Sequence, residues 1–228
     1  MADAAFEIGT SSEDGAPVFW RPTEAGSLGV YGAPQTGKTT FGCRMVQQAA
    51  QNPAAAHSSG RPWDIRVIEV VDGGSAYTWA RSAWIASNAS DAVFVLDDIG
   101  KRVRESTSPP NPVLLVVDEA SVLSSAKTND NFDAHSLVEA AASIAGALKE
   151  GPALDIYVVL MAAKRPVQWA TPAAVALGKM SARDAMMALG VNKDLDIRPT
   201  PQGLRSAWYR DEKKRTQGIT VPNFEMPA

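Results

Sequence analysis

The sequence holds one cysteine, Cys43, in 228 residues. That excludes an internal disulfide framework and fits a reducing compartment. No apolar run approaches the roughly 20 residues a membrane span needs. The opening stretch MADAAFEIGT has neither the basic region nor the apolar core of a secretory leader. These absences predict a cytoplasmic protein, or a virion-associated one, whose membrane or capsid contact runs only through other proteins. A basic excess is missing too: the formal net charge is −3. This argues against a passive, charge-driven nucleic-acid coat, although a ring touching nucleic acid through a few inward loops stays compatible with it. The two histidines, His57 and His135, stand outside any zinc-ligand spacing.

What is present is ordinary for a globular chain: 45% hydrophobic and 21% charged residues. The length suits one large α/β domain with short tails. Polar, Gly- and Pro-punctuated residues 1–26 contain strand-like pieces at Phe6–Ile8 and Pro17–Trp20, and form an expected N-terminal hairpin and tail. Apolar runs at Ser27–Tyr31, Ile65–Val71, Val113–Val117 and Ile156–Ala162 read as strands. Helical spacing appears at Thr39–Gln51, Ser75–Ala86, Ala89–Glu105, Ala134–Lys149 and Ala182–Leu189. From residue 199 the chain is loop-rich, with strand candidates at Ser206–Arg210 and Gly218–Val221 that predict a closing hairpin. Strands too continuous to have a wet face, alternating with helices, predict an α/β fold with a mostly parallel sheet covered on both sides. The expected division is a core over 27–198 between the two hairpin regions.

Gly32-Ala33-Pro34-Gln35-Thr36-Gly37-Lys38-Thr39 follows a strand and opens a helix. It matches G-x-x-x-x-G-K-[ST], the phosphate-binding loop. Its glycines let the backbone curl so that N–H groups converge on an anion, and the helix dipole adds to them. Lys38 is placed to reach the β- and γ-phosphates, and the Thr39 hydroxyl to hold Mg²⁺. Thr40 adds a contact near the α-phosphate. Downstream, Val113–Val117 delivers Asp118 and Glu119 to a strand end, where ligands bind in open parallel sheets. Asp118 suits Mg²⁺ held through water; Glu119 suits orienting and deprotonating the attacking water. The chain lacks an N-K-x-D-like guanine-reading motif, so the expected nucleotide is ATP.

The strand Tyr157–Ala162 leads into Ala163-Lys164-Arg165-Pro166. With the phosphate loop and the acidic pair, this segment resembles the motor core of the FtsK/HerA family, in which the corresponding segment typically reads A-T-Q-R-P. Ile8-Gly9 with Glu13-Asp14-Gly15, Ala92–Arg104 with Pro109–Pro112, Leu148–Asp155 and Gly203–Arg210 with Gln217-Gly218 extend the likeness over most of the chain. The resemblance implies a RecA-like ATPase fold and a homo-oligomer, commonly a hexameric ring with nucleotide between subunits. It also implies double-stranded DNA as cargo, in viral genome packaging or in DNA transfer or segregation. Lys164 would stand at the γ-phosphate sensor and Arg165 beside it as a catalytic arginine. Arg102, Arg104 and Arg183 are further candidates for an arginine reaching a neighbour's nucleotide.

Lys164 departs from the family's glutamine. A lysine contacts phosphate as a point charge but does not orient water as an amide does. A second reading therefore stays open: an ATP-binding scaffold or regulatory subunit with weak or no turnover, as in protein-secretion ATPase modules. The sequence does not say which residues line a pore; Asn129–Phe132 and Gln168–Ala174 read as loops. Trp63, Trp79 and Trp84 are expected in the core or at subunit contacts, and Cys43 in the core.

Overall fold

The computed structural model describes residues 4–51, 57–69, 75–120, 123, 134–165, 169–196 and 204–222. In chain order its elements are β1 (Phe6–Ser11), β2 (Pro17–Trp20), α1 (Pro22–Ala25), β3 (Leu28–Tyr31), α2 (Lys38–Gln51), β4 (Asp64–Glu69), β5 (Ala83–Ala86) and α3 (Ala89–Arg104). They continue with β6 (Val113–Asp118), α4 (Ala134–Glu150), a 3₁₀ turn (Gly151–Leu154), β7 (Ile156–Ala162), β8 (Ala173–Leu177), α5 (Ala182–Leu189), β9 (Leu204–Arg210) and β10 (Thr216–Pro222).

All of the strands join one ten-stranded sheet, ordered β2-β1-β10-β9-β8-β3-β7-β6-β4-β5. From β8 to β5 every pairing is parallel. The terminal strands add on antiparallel, β9 against β8 and β1 against β10. The central strands are rich in β-branched and other apolar residues, which pack well on a pleated surface. Side chains alternate between the two faces. Val113, Leu115 and Val117 of β6 and Ile156, Val158 and Leu160 of β7 face a core shared with α3, α4 and α5. Leu114 and Val116 of β6 and Tyr157, Val159 and Met161 of β7 face the core shared with α2 and the β1–β2 hairpin. Each fully buried large apolar side chain contributes about 1.5–3 kcal/mol, so both faces hold the sheet.

Two expectations are corrected. Ser75–Ala86 was expected as a helix; residues 76–79 form a turn and Ala83–Ala86 is edge strand β5, paired with β4. Four residues are too few for periodicity to separate the two states. Gln168–Ala174 was expected as a loop; Gln168 lies outside the described residues and 169–172 has no regular structure, with Trp169 wholly buried, but Ala173 and Ala174 open strand β8. The Trp169 indole donates to the Ala141 carbonyl at 3.3 Å. Asn129–Phe132 lies outside the described residues. Trp63 and Cys43 are buried, while Trp84 is 43% exposed on the sheet's outer edge.

Candidate functional site: a phosphate cradle facing two carboxylates

β3 is fully buried between β7 and β8, and its end fixes where Gly32 begins. The Gly32 N–H donates to the Ala162 carbonyl at 3.3 Å, tying the loop to the end of β7. A Cβ on Gly32 would stand 2.5 Å from Thr36 Oγ1 and 2.7 Å from the Leu177 carbonyl, so the close approach requires glycine. Thr36 donates to the Ala33 carbonyl through its N–H (3.3 Å) and its hydroxyl (2.8 Å). Gln35 and Gly37 take positive φ, 65° and 98°. Such alternation of backbone hand turns successive N–H groups to one side, making an anion nest. Ala33, Pro34 and Gln35 form the exposed rim. α3 and α5 each carry an aspartate in their first turn and a capping side chain, Asn88 and Ser181. α2, which follows the nest, carries no acid in its first turn. No carboxylate in its own first turn offsets the positive end of the helix.

Lys38 is buried, and its Nζ donates to the carbonyls of Gly32 (3.0 Å) and Ala33 (3.2 Å). The same atom lies 3.4 Å from Glu119 Oε1. Glu119 directly follows β6 and has φ 52°, a left-handed conformation that costs a non-glycine residue on the order of 1 kcal/mol. Asp118, at the end of β6, is buried. Its Oδ1 accepts from the Glu119 N–H at 3.0 Å, and its Oδ2 from the Tyr77 hydroxyl at 3.3 Å. Burial pushes the Asp118 carboxyl above its ordinary 3.8; a hydrogen bond with Thr39 opposes the shift and the neighbouring Glu119 charge adds to it.

Three neighbours were not singled out from sequence. Glu69 pairs in register with Asp118 and is also buried, its carboxylate accepting from the Ala76 N–H at 3.0 Å. Burial raises it above the usual glutamate range, a Ser75 hydrogen bond lowers it, and Asp118 raises it further. Tyr77 is fully enclosed, and burial drives its phenol well above 10. A Cβ on Gly42 of α2 would fall on the Tyr77 hydroxyl, so the helix passes close above this tyrosine. The third, Arg205, lies on the opposite flank of the loop. Cys43 sits behind the acids; burial pushes its thiol up to about 12, which keeps it unreactive near neutrality.

Among the described residues no group of three or more His, Cys, Asp or Glu is arranged to hold a metal ion. Mg²⁺ nevertheless fits the donors present. It takes hard oxygen ligands, keeps several waters, and needs only one or two protein ligands beside substrate phosphates. The Thr39 hydroxyl and the Asp118 carboxylate already meet, and that carboxylate is buried among uncharged donors and a like charge.

Lys164 and Arg165 follow β7 at the same edge of the sheet but contact α5. The Lys164 ammonium is 3.5 Å from Asp184, with 78% of its side chain exposed. Arg165 donates to the Met187 carbonyl at 2.9 Å. With Tyr31, Arg183 and Asp184 they line a cavity of about 250 Å³. Arg102 and Arg104 face Asp98 (2.9 Å) and Asp97 (3.7 Å) on their own helix.

A mostly parallel sheet flanked by helices, with a phosphate loop after the central strand, is the RecA-like arrangement of P-loop ATPases. No family model matches the sequence, and no curated protein does. Solved structures do match in fold. The cytoplasmic domain of the type VII secretion ATPase EccC of Thermomonospora curvata superposes with a TM-score of 0.70 at 13% identity, over 98% of this chain and 27% of that one. The pCW3 conjugation coupling protein TcpA, a monomer form with ATPγS, gives 0.70 at 13% identity, over 99% and 67%. ATPases 2 and 3 of EssC from Geobacillus thermodenitrificans give 0.65 at 14% identity, over 100% and 46%. The chain thus corresponds to about a quarter of the EccC chain it matches.

Proposed function

We propose that the chain is an ATP-hydrolysing motor of the FtsK/HerA type, working as a homo-oligomeric ring that moves double-stranded DNA. The observation that carries the ATPase reading is the meeting of Lys38, Thr39, Asp118 and Glu119 at one sheet edge, with Lys38 Nζ 3.4 Å from Glu119. In this reading the nest amides and Lys38 bind the β- and γ-phosphates, and Glu119 leaves Lys38 to orient a water. That water attacks the γ-phosphorus, the bond to the β-bridging oxygen breaks, and Glu119 takes the water's proton. Thr39 and Asp118 are the residues that would hold Mg²⁺, which would supply charge neutralisation at the phosphates. Asp118 holds its orientation through the Tyr77 hydroxyl and the Glu119 amide. DNA as cargo rests on the sequence resemblance, and the fold shared with a conjugation coupling protein is consistent with it.

One observation favours a scaffold instead: the sensor position holds a lysine, and that lysine turns outward to Asp184. The fold shared with a secretion ATPase fits this reading as well. Steady-state hydrolysis with and without linear duplex DNA separates the two. The motor reading expects DNA-stimulated turnover that falls at least about 100-fold in Glu119→Gln while ATP binding persists. Tight Mg·ATP binding with no turnover in either condition would establish the scaffold.

A further inference from the structure

β9 is antiparallel to β8, with Leu177 opposite Ala207. The first residues of β9 therefore run out past the end of β8, onto the edge where the phosphate loop lies. A hydrogen bond ties Ser206 to Gly178, and Gly178 in turn lies against the loop. The Gly178 N–H donates to the Ser206 carbonyl at 3.4 Å, and a Cβ on Gly178 would stand 3.0 Å from Thr36 Cγ2 of the loop. The neighbouring residue, Arg205, reaches the loop itself. A Cβ on Gly37 would fall on Arg205 Nη1, with Cζ at 2.7 Å and Cδ at 3.1 Å. A guanidinium thus lies against the backbone of the glycine that precedes Lys38.

The strand order says which end of a nucleotide this cation meets. β3, which feeds the loop, has β7 and then β6 on one side, and β8 and then β9 on the other. Asp118 and Glu119 come from the β6 side, so the γ-phosphate and its attacking water belong there. The rest of the nucleotide crosses the loop toward β8 and β9. We infer that Arg205 is a second phosphate-binding cation, acting within its own subunit on the α- and β-phosphates of the nucleotide held by Lys38. This rests on the nucleotide-binding reading above. Arginine suits the role because its planar fork makes paired, charge-assisted hydrogen bonds to phosphate oxygens. A contact to phosphates that ATP and ADP share is uniform binding: it lowers KM and leaves kcat in place.

The test is titration of the full chain, with Mg²⁺, by fluorescent ATP and ADP analogues, in wild type, Arg205→Ala, Arg205→Gln, Arg205→Lys and Lys38→Ala. The expected result is a loss of about 10–100-fold for both nucleotides in Arg205→Ala and Arg205→Gln, the worth of one charge-assisted hydrogen bond. The ATP-to-ADP affinity ratio should stay unchanged, and Arg205→Lys should recover part of the loss. Arg205→Gln, which keeps the side chain's length and polarity, carries the test if Arg205→Ala fails to fold. Wild-type affinity in the folded Arg205 variants would overturn the inference, and so would a loss confined to ATP. If Lys38→Ala abolishes binding while the Arg205 variants keep it, only this inference falls; if wild type binds neither nucleotide, both readings fall.

Discussion

Asp118 is buried where ionisation is costly, and the sign of that cost is testable. Its folded-state carboxyl titrates above its ordinary 3.8, chiefly because it is buried. The folded state therefore binds the proton more tightly than the unfolded chain does, and stability falls as pH rises from about 3.8 through the raised folded value. Above that value the full cost is present. In Mg²⁺-free buffer at neutral pH, Asp118→Asn should melt above wild type by about 2–4 °C, the effect of about 1 kcal/mol in a chain of this length. The gap should close as pH falls toward the ordinary aspartate range, as followed by thermal melts across pH; a gap independent of pH would contradict the account. Lys38, Thr39, Asp118 and Glu119 were legible in sequence because each belongs to a contiguous signal, a loop between strand and helix or the end of an apolar run. Glu69, Tyr77 and Arg205 were not, because register and packing bring them in: Glu69 through its pairing with Asp118, Tyr77 under α2, Arg205 over Gly37. The only sequence signal for Arg205 was its place in the closing hairpin.

Among the elements, the long helices and buried strands declared themselves through period and apolar continuity. β8 did not. Ala173-Ala174-Val175-Ala176-Leu177 has a single β-branched residue, and alanine is depleted in strands. Its pairing with β3 and β9 overrides that preference. β5 was misread because four residues at a sheet edge carry little pattern. The covering helices can be probed apart from the site. Where α3 crosses α4, a Cβ on Gly100 would fall on Ser143 Oγ and stand 3.1 Å from Arg104 Nη1. Gly100→Ala should destabilise the protein by about 1–3 kcal/mol through overpacking, read as a lowered melting temperature, with nucleotide affinity unchanged. A loss of affinity would mean that the α3–α4 layer and the phosphate loop are coupled.

For the whole molecule, the sheet sets the division of labour. Its parallel centre brings loop and acids to one edge, and the antiparallel terminal strands bring a further cation to the same edge from the far side. No helix among the described residues is long and apolar enough to cross a membrane. With a net charge of −3, overall charge would not draw the chain to nucleic acid; the proposed DNA contact would have to be local. The proposed function presupposes that this edge takes a metal-bound triphosphate. Calorimetric titration of Mg·ATP into wild type and Lys38→Ala addresses that directly. The account predicts saturable heat from wild type and none from Lys38→Ala at an intact fold. No heat from folded wild type, or the same heat from both proteins, would contradict it.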